Sequence, residues 1–329
     1  MLILTAEDVR RALPMNQAID AMKKAYASLS NGTAVVPLRT RLPIPDSEAL
    51  SLFMPAFVNS QAGNALAIKV VSLFPSNPAR GLAFIQAAVL VLDPETGRAL
   101  ALLEGSSLTA IRTGAASGAA IDLLAREESE VLAVFGAGAQ GRTQIEAACT
   151  TRKIETVYIF DSNPEKAGSF AKAMRGQGPI PEDIRVASNA QEAVETADII
   201  CAATTSKKPV FDDKYVKPGT HISAVGSYTP EMQEVPAEIL QRAKIFVDSR
   251  AASLEEAGDL IQPIHTGLFD ESHIHGELGE LVLGKISGRQ SQEEITYFKS
   301  VGIAVQDAMA AQVALKNAHR LNIGTEVDF

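Results

Sequence analysis

The stretch Val131-Leu-Ala-Val-Phe-Gly136-Ala-Gly138-Ala-Gln-Gly141 decides the fold of this chain. An apolar run of strand length leads directly into the pattern Gly-x-Gly-x-x-Gly. A helical stretch follows, and a second strand over residues 157–160 ends at Asp161. This order of strand, glycine-rich turn, helix and acidic strand end is the dinucleotide-binding fingerprint. We therefore predict a nucleotide-binding parallel sheet in this part of the chain.

Each residue of the fingerprint has a physical role. Gly136 permits a tight turn, Gly138 lets the backbone approach a pyrophosphate, and Gly141 lets the helix pack close to the strand. The unpaired N–H groups and the positive end of the helix dipole then meet the phosphates. Asp161 is placed to accept hydrogen bonds from the ribose hydroxyls and to repel a 2′-phosphate. NAD(H) is the expected coenzyme, and NADP(H) stays open because Lys166 follows nearby.

Composition and charge limit the class of protein. The 329 residues are 46% hydrophobic and 21% charged, which is ordinary for a globular chain of two domains. A net charge of −9 argues against a surface that binds nucleic acid or an anionic membrane. Cys149 and Cys201 are isolated in apolar surroundings and are predicted to be buried thiols of a reducing compartment. With no signal-peptide pattern and no membrane-length apolar run, we expect a cytoplasmic protein.

The first third of the chain has an α+β pattern. Helical spacing over residues 5–30 follows a capping sequence, Thr5-Ala-Glu-Asp8. Short strands that pair as an antiparallel sheet are then predicted at 39–44, 49–54, 65–73, 85–92 and 99–104, with Pro94-Glu-Thr-Gly97 as a hairpin turn. A helix is predicted over residues 106–125.

The remaining sequence alternates strands and helices. Strands are predicted at 131–135, 157–160, 198–202, 221–225 and 245–247, and a final helix at 292–320. The predicted fold class is α/β, with a doubly wound Rossmann domain inserted into an α+β domain. We place the Rossmann domain at residues 118–301 and the substrate-binding and dimerisation domain at residues 1–117 plus 302–329.

Two cations stand out beyond the nucleotide fingerprint. Lys69 lies in an otherwise apolar strand, where it is either an inward functional cation or a solvent-facing residue of the alternate face. Arg112 is a single cation among small and apolar residues, and the alternative for it is an exposed helix arginine. Together the two residues are suited to bind a carboxylate, and Lys69 can also donate a proton.

Other polar groups give weaker signals. The loop Val225-Gly-Ser-Tyr-Thr-Pro230 follows a predicted parallel strand at its carboxyl end, where open α/β sheets bind ligands. The spacing of His265, His273, His275 and Glu277 matches no tetrahedral metal site. We therefore expect no metal.

Over nearly its whole length the chain resembles the ornithine cyclodeaminase/μ-crystallin family. The resemblance is carried by six segments in order: Ala67-Ile-Lys-Val70, Leu92-Asp-Pro-Glu-Thr-Gly97, Leu108-Thr-Ala-Ile-Arg-Thr-Gly-Ala-Ala-Ser117, Phe135-Gly-Ala-Gly-Ala-Gln-Gly141, Val225-Gly-Ser-Tyr-Thr-Pro230 and Ser300-Val-Gly-Ile-Ala-Val-Gln-Asp307. The resemblance implies a nicotinamide coenzyme acting on an amino- or imino-acid carbon, and a homodimer formed through the non-Rossmann domain.

The resemblance also implies roles for individual residues. Lys69 and Arg112 would be catalytic and sit beside the substrate carboxylate. The implied substrate-binding residues are Arg41 or Arg39, Leu52, Met54, Tyr228 and Gly302. The implied coenzyme-binding residues are Thr113, Gly136, Gly138, Ala139, Gln140, Gly141, Asp161, Thr204, Val225, Gly226, Ser300 and Val301.

Two departures from the family pattern point to a subgroup. Cyclodeaminases, and also the alanine dehydrogenases, have an Asp where this chain has Tyr228. Cyclodeaminases also have a Glu just before the Met-Pro of Leu52-Phe-Met-Pro55. Without these carboxylates, a second amino group of the substrate would be buried without a partner. A carboxylate clamp and an apolar wall of Leu52, Phe53 and Phe84 remain, which suits a compact cyclic imino acid.

The leading hypothesis is therefore NAD(P)H-dependent reduction of a cyclic ketimine carboxylate, Δ1-pyrroline-2-carboxylate or Δ1-piperideine-2-carboxylate, to L-proline or L-pipecolate. Three alternatives follow in order. They are alanine dehydrogenase-like reductive amination, ornithine cyclodeamination, and coenzyme-dependent binding without catalysis.

Overall fold

The computed structural model describes residues 1–60 and 63–329. They form two compact units, one of Met1–Arg112 with Ile303–Phe329 and one of Thr113–Gly302. The boundaries predicted from the sequence lie at 117/118 and 301/302. The difference at the first boundary arises because a helix, Gly105–Leu124, starts in one unit and ends in the other.

Sixteen strands are present among the described residues. They are β1 Leu2–Leu4, β2 Ala34–Val35, β3 Thr40–Pro43, β4 Leu50–Val58, β5 Ala65–Leu73, β6 Ile85–Leu92, β7 Ala99–Glu104, β8 Val131–Phe135, β9 Thr156–Phe160, β10 Ile184–Val186, β11 Ile199–Ala202, β12 His221–Ala224, β13 Lys244–Val247, β14 Ile274–Glu277, β15 Thr296–Lys299 and β16 Thr325–Glu326.

Eleven α-helices are present in the same residues. They are α1 Ala6–Ala12, α2 Met15–Ser30, α3 Gly105–Leu124, α4 Ala139–Thr151, α5 Pro164–Met174, α6 Ala190–Val194, α7 Ala237–Arg242, α8 Arg250–Glu256, α9 Gly258–His265, α10 Leu278–Val282 and α11 Ala304–Leu321. Short 3₁₀ turns lie at Pro78–Arg80, Asp213–Tyr215 and Glu271–His273.

The first unit is built on an eight-stranded sheet in the order β16-β1-β7-β6-β5-β4-β2, with β3 paired to β4. Strands β3 to β7 pair antiparallel as predicted, whereas β1 runs parallel to β7. The β6–β7 turn closes through Gly97, whose φ of 74° and bond to the Asp93 carbonyl suit a glycine. Helix α11 packs on β4, β5 and β6 and against α2.

The second unit is a parallel sheet in the order β10-β9-β8-β11-β12-β15-β13-β14. Apolar clusters on the sheet, one including Phe135, Ile222 and Ile245 and another including Ile145, Val157 and Ile199, form its core. The strand order reverses between β8 and β11, where a doubly wound sheet opens a crevice for ligands. The predicted α/β class with a Rossmann-type domain is confirmed.

Two helix predictions were wrong. Residues 292–320 do not form one helix, because Thr296–Lys299 is a central strand of the parallel sheet and α11 begins only at Ala304. The β-branched and aromatic residues of this strand favour extended structure, and Gly302, with a φ of 82°, lies in the turn between the strand and α11. Residues 5–30 form two helices because Pro14 separates α1 from α2.

Candidate active site

Lys69 lies on the buried face of the first sheet. Along β5 buried and half-buried residues alternate, and Lys69 falls on the same side as Ala67 and Val71 with 2% of its surface exposed. Of the two alternatives left open by the sequence, the structure therefore has the inward one. Because a buried ammonium needs a partner, its surroundings decide what it does.

A carboxylate from α11 joins Lys69 to Arg112. Asp307 Oδ2 lies 2.7 Å from Lys69 Nζ, and Asp307 Oδ1 lies 3.0 Å from Arg112 Nε. All three side chains are almost fully buried. We call Lys69, Arg112 and Asp307 the charged triad. Residues far apart in the sequence are brought together because β5, Arg112 of α3 and α11 belong to one unit.

Gln306 holds the triad from the side. Its Oε1 accepts a hydrogen bond from Arg112 Nη1 at 3.0 Å and one from the backbone N–H of Ile303 at 2.8 Å. Its Nε2 donates to the hydroxyl of Tyr26, a fully buried residue of α2. The guanidinium of Arg112 is thus fixed by two acceptors on neighbouring residues of α11, which restricts its orientation.

Burial and nearby cations lower the pKa of Lys69 to about 7. Desolvation is the largest cause, the positive charge of Arg112 adds to it, and Asp307 opposes both. The charge of Arg39 also lowers this pKa, which places Arg39 near the amine. Arg41 is exposed on β3. An amine with such a pKa can hold or release a proton near neutral pH.

The charged triad carries an excess of positive charge when Lys69 is protonated. Two buried cations face one buried carboxylate, and Arg39 adds a further positive charge nearby. Charges out of water are strongly unfavourable unless they are balanced. A bound anion would therefore be stabilised here, and a carboxylate would also raise the pKa of Lys69.

Two of the predicted substrate residues share the face of Lys69. Met54 stands opposite Lys69 in the antiparallel register, and Leu52, two residues before Met54, lies on the same face of β4. The prediction of a continuous wall with Phe53 was wrong. Successive side chains of a strand point to opposite faces, so Phe53 lies on the other side of the sheet from Leu52 and Met54.

The glycine-rich turn has the predicted geometry. Gly136 has a φ of 101°, and a Cβ there would lie 2.5 Å from the Ala203 carbonyl oxygen. A Cβ on Gly141 would collide with the Gly136 carbonyl oxygen, so the helix packs directly on the turn. A Cβ on Gly138, the residue before α4, would meet nothing within 4 Å. That open space is where a pyrophosphate would approach the backbone.

Asp161 is held at the end of β9 by three donors. Its Oδ2 accepts from the Ala137 N–H at 2.8 Å and from Lys166 Nζ at 3.0 Å, and its Oδ1 accepts from the Asn163 N–H. Burial opposes ionisation, but these donors outweigh it and lower the pKa of Asp161. The carboxylate is therefore charged at neutral pH, beside a lysine that the sequence left open as a phosphate partner.

The other residues with an implied coenzyme role lie mostly on loops after parallel strands. Thr204 follows β11, and Val225 and Gly226 follow β12. Ser300, Val301 and Gly302 follow β15, and all three hydrogen-bond to Asp248 Oδ2 at 2.8–2.9 Å. Ala139 and Gln140 open α4, while Thr113 lies within α3.

Tyr228 is the predicted substrate residue for which the resemblance implies an aspartate in cyclodeaminases. It lies half-buried in the loop after β12. Desolvation raises the pKa of its hydroxyl, so the group is a neutral phenol at physiological pH. A neutral phenol can donate a hydrogen bond but cannot balance an ammonium group of a diamine.

Sequence reasoning missed several buried polar residues. Asp307 and Gln306 were quoted only as part of a motif, although a polar pair within an alanine-rich helix was a usable signal. Glu234 and Asp248 gave no signal, since their partners are backbone N–H groups of distant loops. Among the described residues, no group of three or more His, Cys, Asp or Glu is placed to hold a metal ion. None of the described helices is long and apolar enough to cross a membrane.

A model of the ornithine cyclodeaminase/mu-crystallin family matches residues 1–321. The chain belongs to this family. The resemblance predicted from the six sequence segments is thereby confirmed. A Delta(1)-pyrroline-2-carboxylate reductase of Bacillus cereus is 41% identical over 330 residues, which cover 100% of both chains.

Two similar solved structures agree with the fold. The Delta(1)-pyrroline-2-carboxylate reductase of Thermococcus litoralis, in complex with NADH and L-proline, is 42% identical and superposes with a TM-score of 0.94. The match covers 99% of this chain and 100% of that one. An archaeal alanine dehydrogenase dimer with bound NAD is 34% identical, with a TM-score of 0.91 over 100% and 99% of the two chains.

Proposed function

We propose that this protein is an NAD(H)-dependent oxidoreductase that reduces the C=N bond of a cyclic imino acid. The substrate is Δ1-pyrroline-2-carboxylate, and the product is L-proline. The single observation that carries the assignment is the buried charged triad, with its excess positive charge, in a chain that also has a dinucleotide-binding unit. Relatives named for this reaction at about 40% identity over the whole chain support it.

The carboxylate of the substrate is bound by Arg112 and Lys69 in this proposal. Asp307 holds both cations in place, and Arg39 adds positive charge at the same site. Leu52 and Met54 supply apolar surface on the same sheet face for the ring carbons. A compact cyclic imino acid has one carboxylate and an apolar ring, so these side chains match both of its parts.

The residues of the second unit fit a dinucleotide. Gly136, Gly138 and the first turn of α4 would hold the pyrophosphate, and Asp161 would hold the adenosine ribose. The open space above Gly138 is the observation that supports this fit. A nicotinamide coenzyme held there would supply a hydride for C2 of the imine, and the electron pair of the C=N bond would pass to the nitrogen.

In this proposal, Lys69 Nζ supplies or preserves the proton on the imine nitrogen. The protonated imine is the better electrophile, so the site must supply or preserve a proton on the nitrogen during reduction. With its pKa near 7, the Lys69 amine is protonated at slightly acid pH and can release that proton without a large cost. The substrate carboxylate, once bound, raises this pKa, so the amine stays protonated until the imine nitrogen takes its proton.

A direct assay tests the function. Purified protein, NADH and Δ1-pyrroline-2-carboxylate should give NADH oxidation without added ammonia, and proline should accumulate. Pyruvate with ammonia is the matched comparison, because reductive amination needs ammonia and imine reduction does not. Faster NADH oxidation with pyruvate and ammonia would assign the protein to the alanine dehydrogenases instead. Ammonia release from L-ornithine at a similar rate would assign it to the cyclodeaminases.

We also propose a homodimer formed through the first sheet. Helices cover the face that carries Lys69, whereas Phe53, Pro55, Phe57, Ile68 and Val70 form a half-buried apolar face on the other side. Such a face favours association with a second copy, and the related alanine dehydrogenase structure is a dimer. Light scattering should give twice the mass of the chain, and Ile68→Asp should give a monomer.

A cytoplasmic location and a secondary use of NADP(H) complete the proposal. Cys149 and Cys201 are free and buried, which fits a reducing compartment. Lys166 lies 3.0 Å from Asp161, so a cation is available beside the ribose position for a 2′-phosphate.

A further inference from the structure

Glu234 is a buried carboxylate that hydrogen-bonds the backbone of two separate loops. Its Oε1 accepts from the N–H of Thr204 at 2.5 Å. Its Oε2 accepts from the N–H of Gly226 at 2.6 Å and of Ser227 at 3.0 Å. The residue has no exposed surface. Charge-assisted bonds to backbone donors are among the stronger hydrogen bonds in proteins, so this carboxylate sets the spacing of the two loops.

The two loops lie where the second half of a dinucleotide is expected. Thr204 follows β11 and Gly226 follows β12, so both stand at the carboxyl ends of neighbouring parallel strands. The glycine-rich turn and Asp161 occupy the ends of β8 and β9, on the other side of the point where the strand order reverses. In a doubly wound sheet the two mononucleotides bind on the two sides of that point. The loops on Glu234 therefore correspond to the nicotinamide half.

The two loops are in such close contact that no side chain larger than hydrogen fits at Gly226. A Cβ on Gly226 would collide with the Thr204 carbonyl oxygen and would lie 2.5 Å from Glu234 Oε1. Contacts this short would force the backbone to move. The two loops and the carboxylate are thus packed directly on one another.

Glu234 is itself held by a second buried carboxylate. Asp259 Oδ1 accepts from the N–H of Glu234 at 2.7 Å and of Val235 at 3.2 Å. Asp259 Oδ2 lies 3.1 Å from Lys299 Nζ, and both of these side chains are fully buried. This chain of contacts ends at β15, whose carboxyl end continues into the loop of Ser300. The position of Glu234 is therefore fixed from the sheet.

We propose that Glu234 is a positioning residue for the nicotinamide half of the coenzyme. It holds the Thr204 loop and the Gly226–Ser227 loop at a fixed separation and contacts neither coenzyme nor substrate. The inference rests on the proposed function in that NAD(H) is the ligand. Its consequence is selective: disturbing Glu234 weakens the binding of the nicotinamide half and leaves the adenosine half unchanged.

Asp198 provides a matched control within the same sheet. Its Oδ2 accepts from the N–H groups of Glu130 and Val131 at 2.9 and 3.0 Å, and its Oδ1 lies 2.6 Å from Arg126 Nη2. Asp198 is also buried and also holds backbone N–H groups. It precedes β11, however, and so lies at the amino-terminal edge of the strands, away from the coenzyme. Its loss tests stability without the positioning role.

The experiment compares wild type, Glu234→Gln, Glu234→Asp and Asp198→Asn. The amide of the glutamine turns an NH₂ group toward backbone N–H donors, so one loop must shift. For each protein the dissociation constants of NADH and of ADP, which lacks the nicotinamide and its ribose, are measured together with Tm. We expect Glu234→Gln to weaken NADH binding about tenfold and to leave ADP binding unchanged. Asp198→Asn should lower Tm and change neither constant.

Glu234→Asp keeps the charge and gives a milder variant if the glutamine protein does not fold. It should weaken NADH binding less than Glu234→Gln and again leave ADP binding unchanged. The proposal is overturned if these variants bind NADH as tightly as wild type, or if they lose NADH and ADP equally. Failure of the wild-type protein to bind NADH would instead contradict the proposed function and would say nothing against the loop contacts.

Discussion

Lys69 Nζ lies 2.7 Å from Asp307 Oδ2, and both side chains are 2% exposed. The pair joins a strand near the start of the chain to a helix near its end. Despite this close anion, burial and Arg112 lower the pKa of Lys69 to about 7. The amine is therefore poised between two protonation states by competing contacts. In the proposed function, this balance is the feature that suits the charged triad to imine reduction.

The pH dependence of the reaction should follow Lys69. Because the protonated amine is the form that binds carboxylate and supplies a proton, kcat/KM should fall as the pH rises through about 7. Asp307→Asn removes the charge that raises this pKa, so the pKa of Lys69 drops further. The descending limb should then move to lower pH by about one unit or more. The measurement is the kcat/KM profile of both proteins across the neutral range.

The comparison between the two profiles distinguishes the titration of an enzyme group from the titration of the substrate. The imine nitrogen also titrates, but its pKa in solution is the same for both proteins and cannot move the limb. Coincident profiles would show that Asp307 does not control the titration of Lys69.

Removal of Arg112 should impair substrate binding rather than coenzyme binding. Arg112→Ala deletes a charge-assisted contact worth about 1.5–3 kcal/mol, which predicts a fall in kcat/KM of up to about a hundredfold. The NADH dissociation constant should hardly change. Arg11→Ala, an exposed arginine of α1, is the control and should behave as wild type. A near-normal kcat/KM in Arg112→Ala would show that Arg112 does not bind the substrate.

Arg39 and Arg41 should differ, although the sequence did not separate them. The charge of Arg39 acts on Lys69, while Arg41 is exposed. We expect Arg39→Ala to raise KM for the imine several-fold or more and Arg41→Ala to have the smaller effect. Steady-state kinetics of the two variants provides the test. A larger effect at Arg41 would mean that it is the partner of the carboxylate.

Coenzyme choice should depend on two opposite charges. Asp161 is ionised and repels a 2′-phosphate, whereas Lys166, 3.0 Å away, attracts one. NADH should be preferred by the wild type, Asp161→Ala should narrow the preference, and Lys166→Ala should widen it. The ratio of kcat/KM for NADH and NADPH measures this. A wild-type preference for NADPH would show that Asp161 does not face the ribose.

The sequence predicted the nucleotide-binding half of the protein well because local residues determine it. Gly136, Gly141 and Asp161 act within a short stretch, and their spacing alone specifies the turn. The strand Thr296–Lys299 was mistaken for helix for the opposite reason. Phe298 falls at helical spacing with Ile295 and Val301, and this spacing hid the β propensity of the strand. Pairing with the distant strands β12 and β13 stabilises the extended form.

The candidate substrate site was only partly predictable. Lys69 stood out as a cation within an apolar strand, but alternation alone could not decide its face. Asp307, which completes the triad, lies 195 positions from Arg112, and no local pattern joins them. Glu234 was invisible for a related reason, since its partners are main-chain N–H groups that leave no trace in side-chain patterns.

In the proposed reaction, a hydride passes from NADH to C2 of a cyclic imino acid. The most direct measurement uses NADH carrying deuterium at both positions of C4, with Δ1-pyrroline-2-carboxylate and no ammonia. Mass spectrometry of the product should show L-proline with one deuterium at C2. Proline without deuterium, or no proline despite bound NADH, would contradict the account.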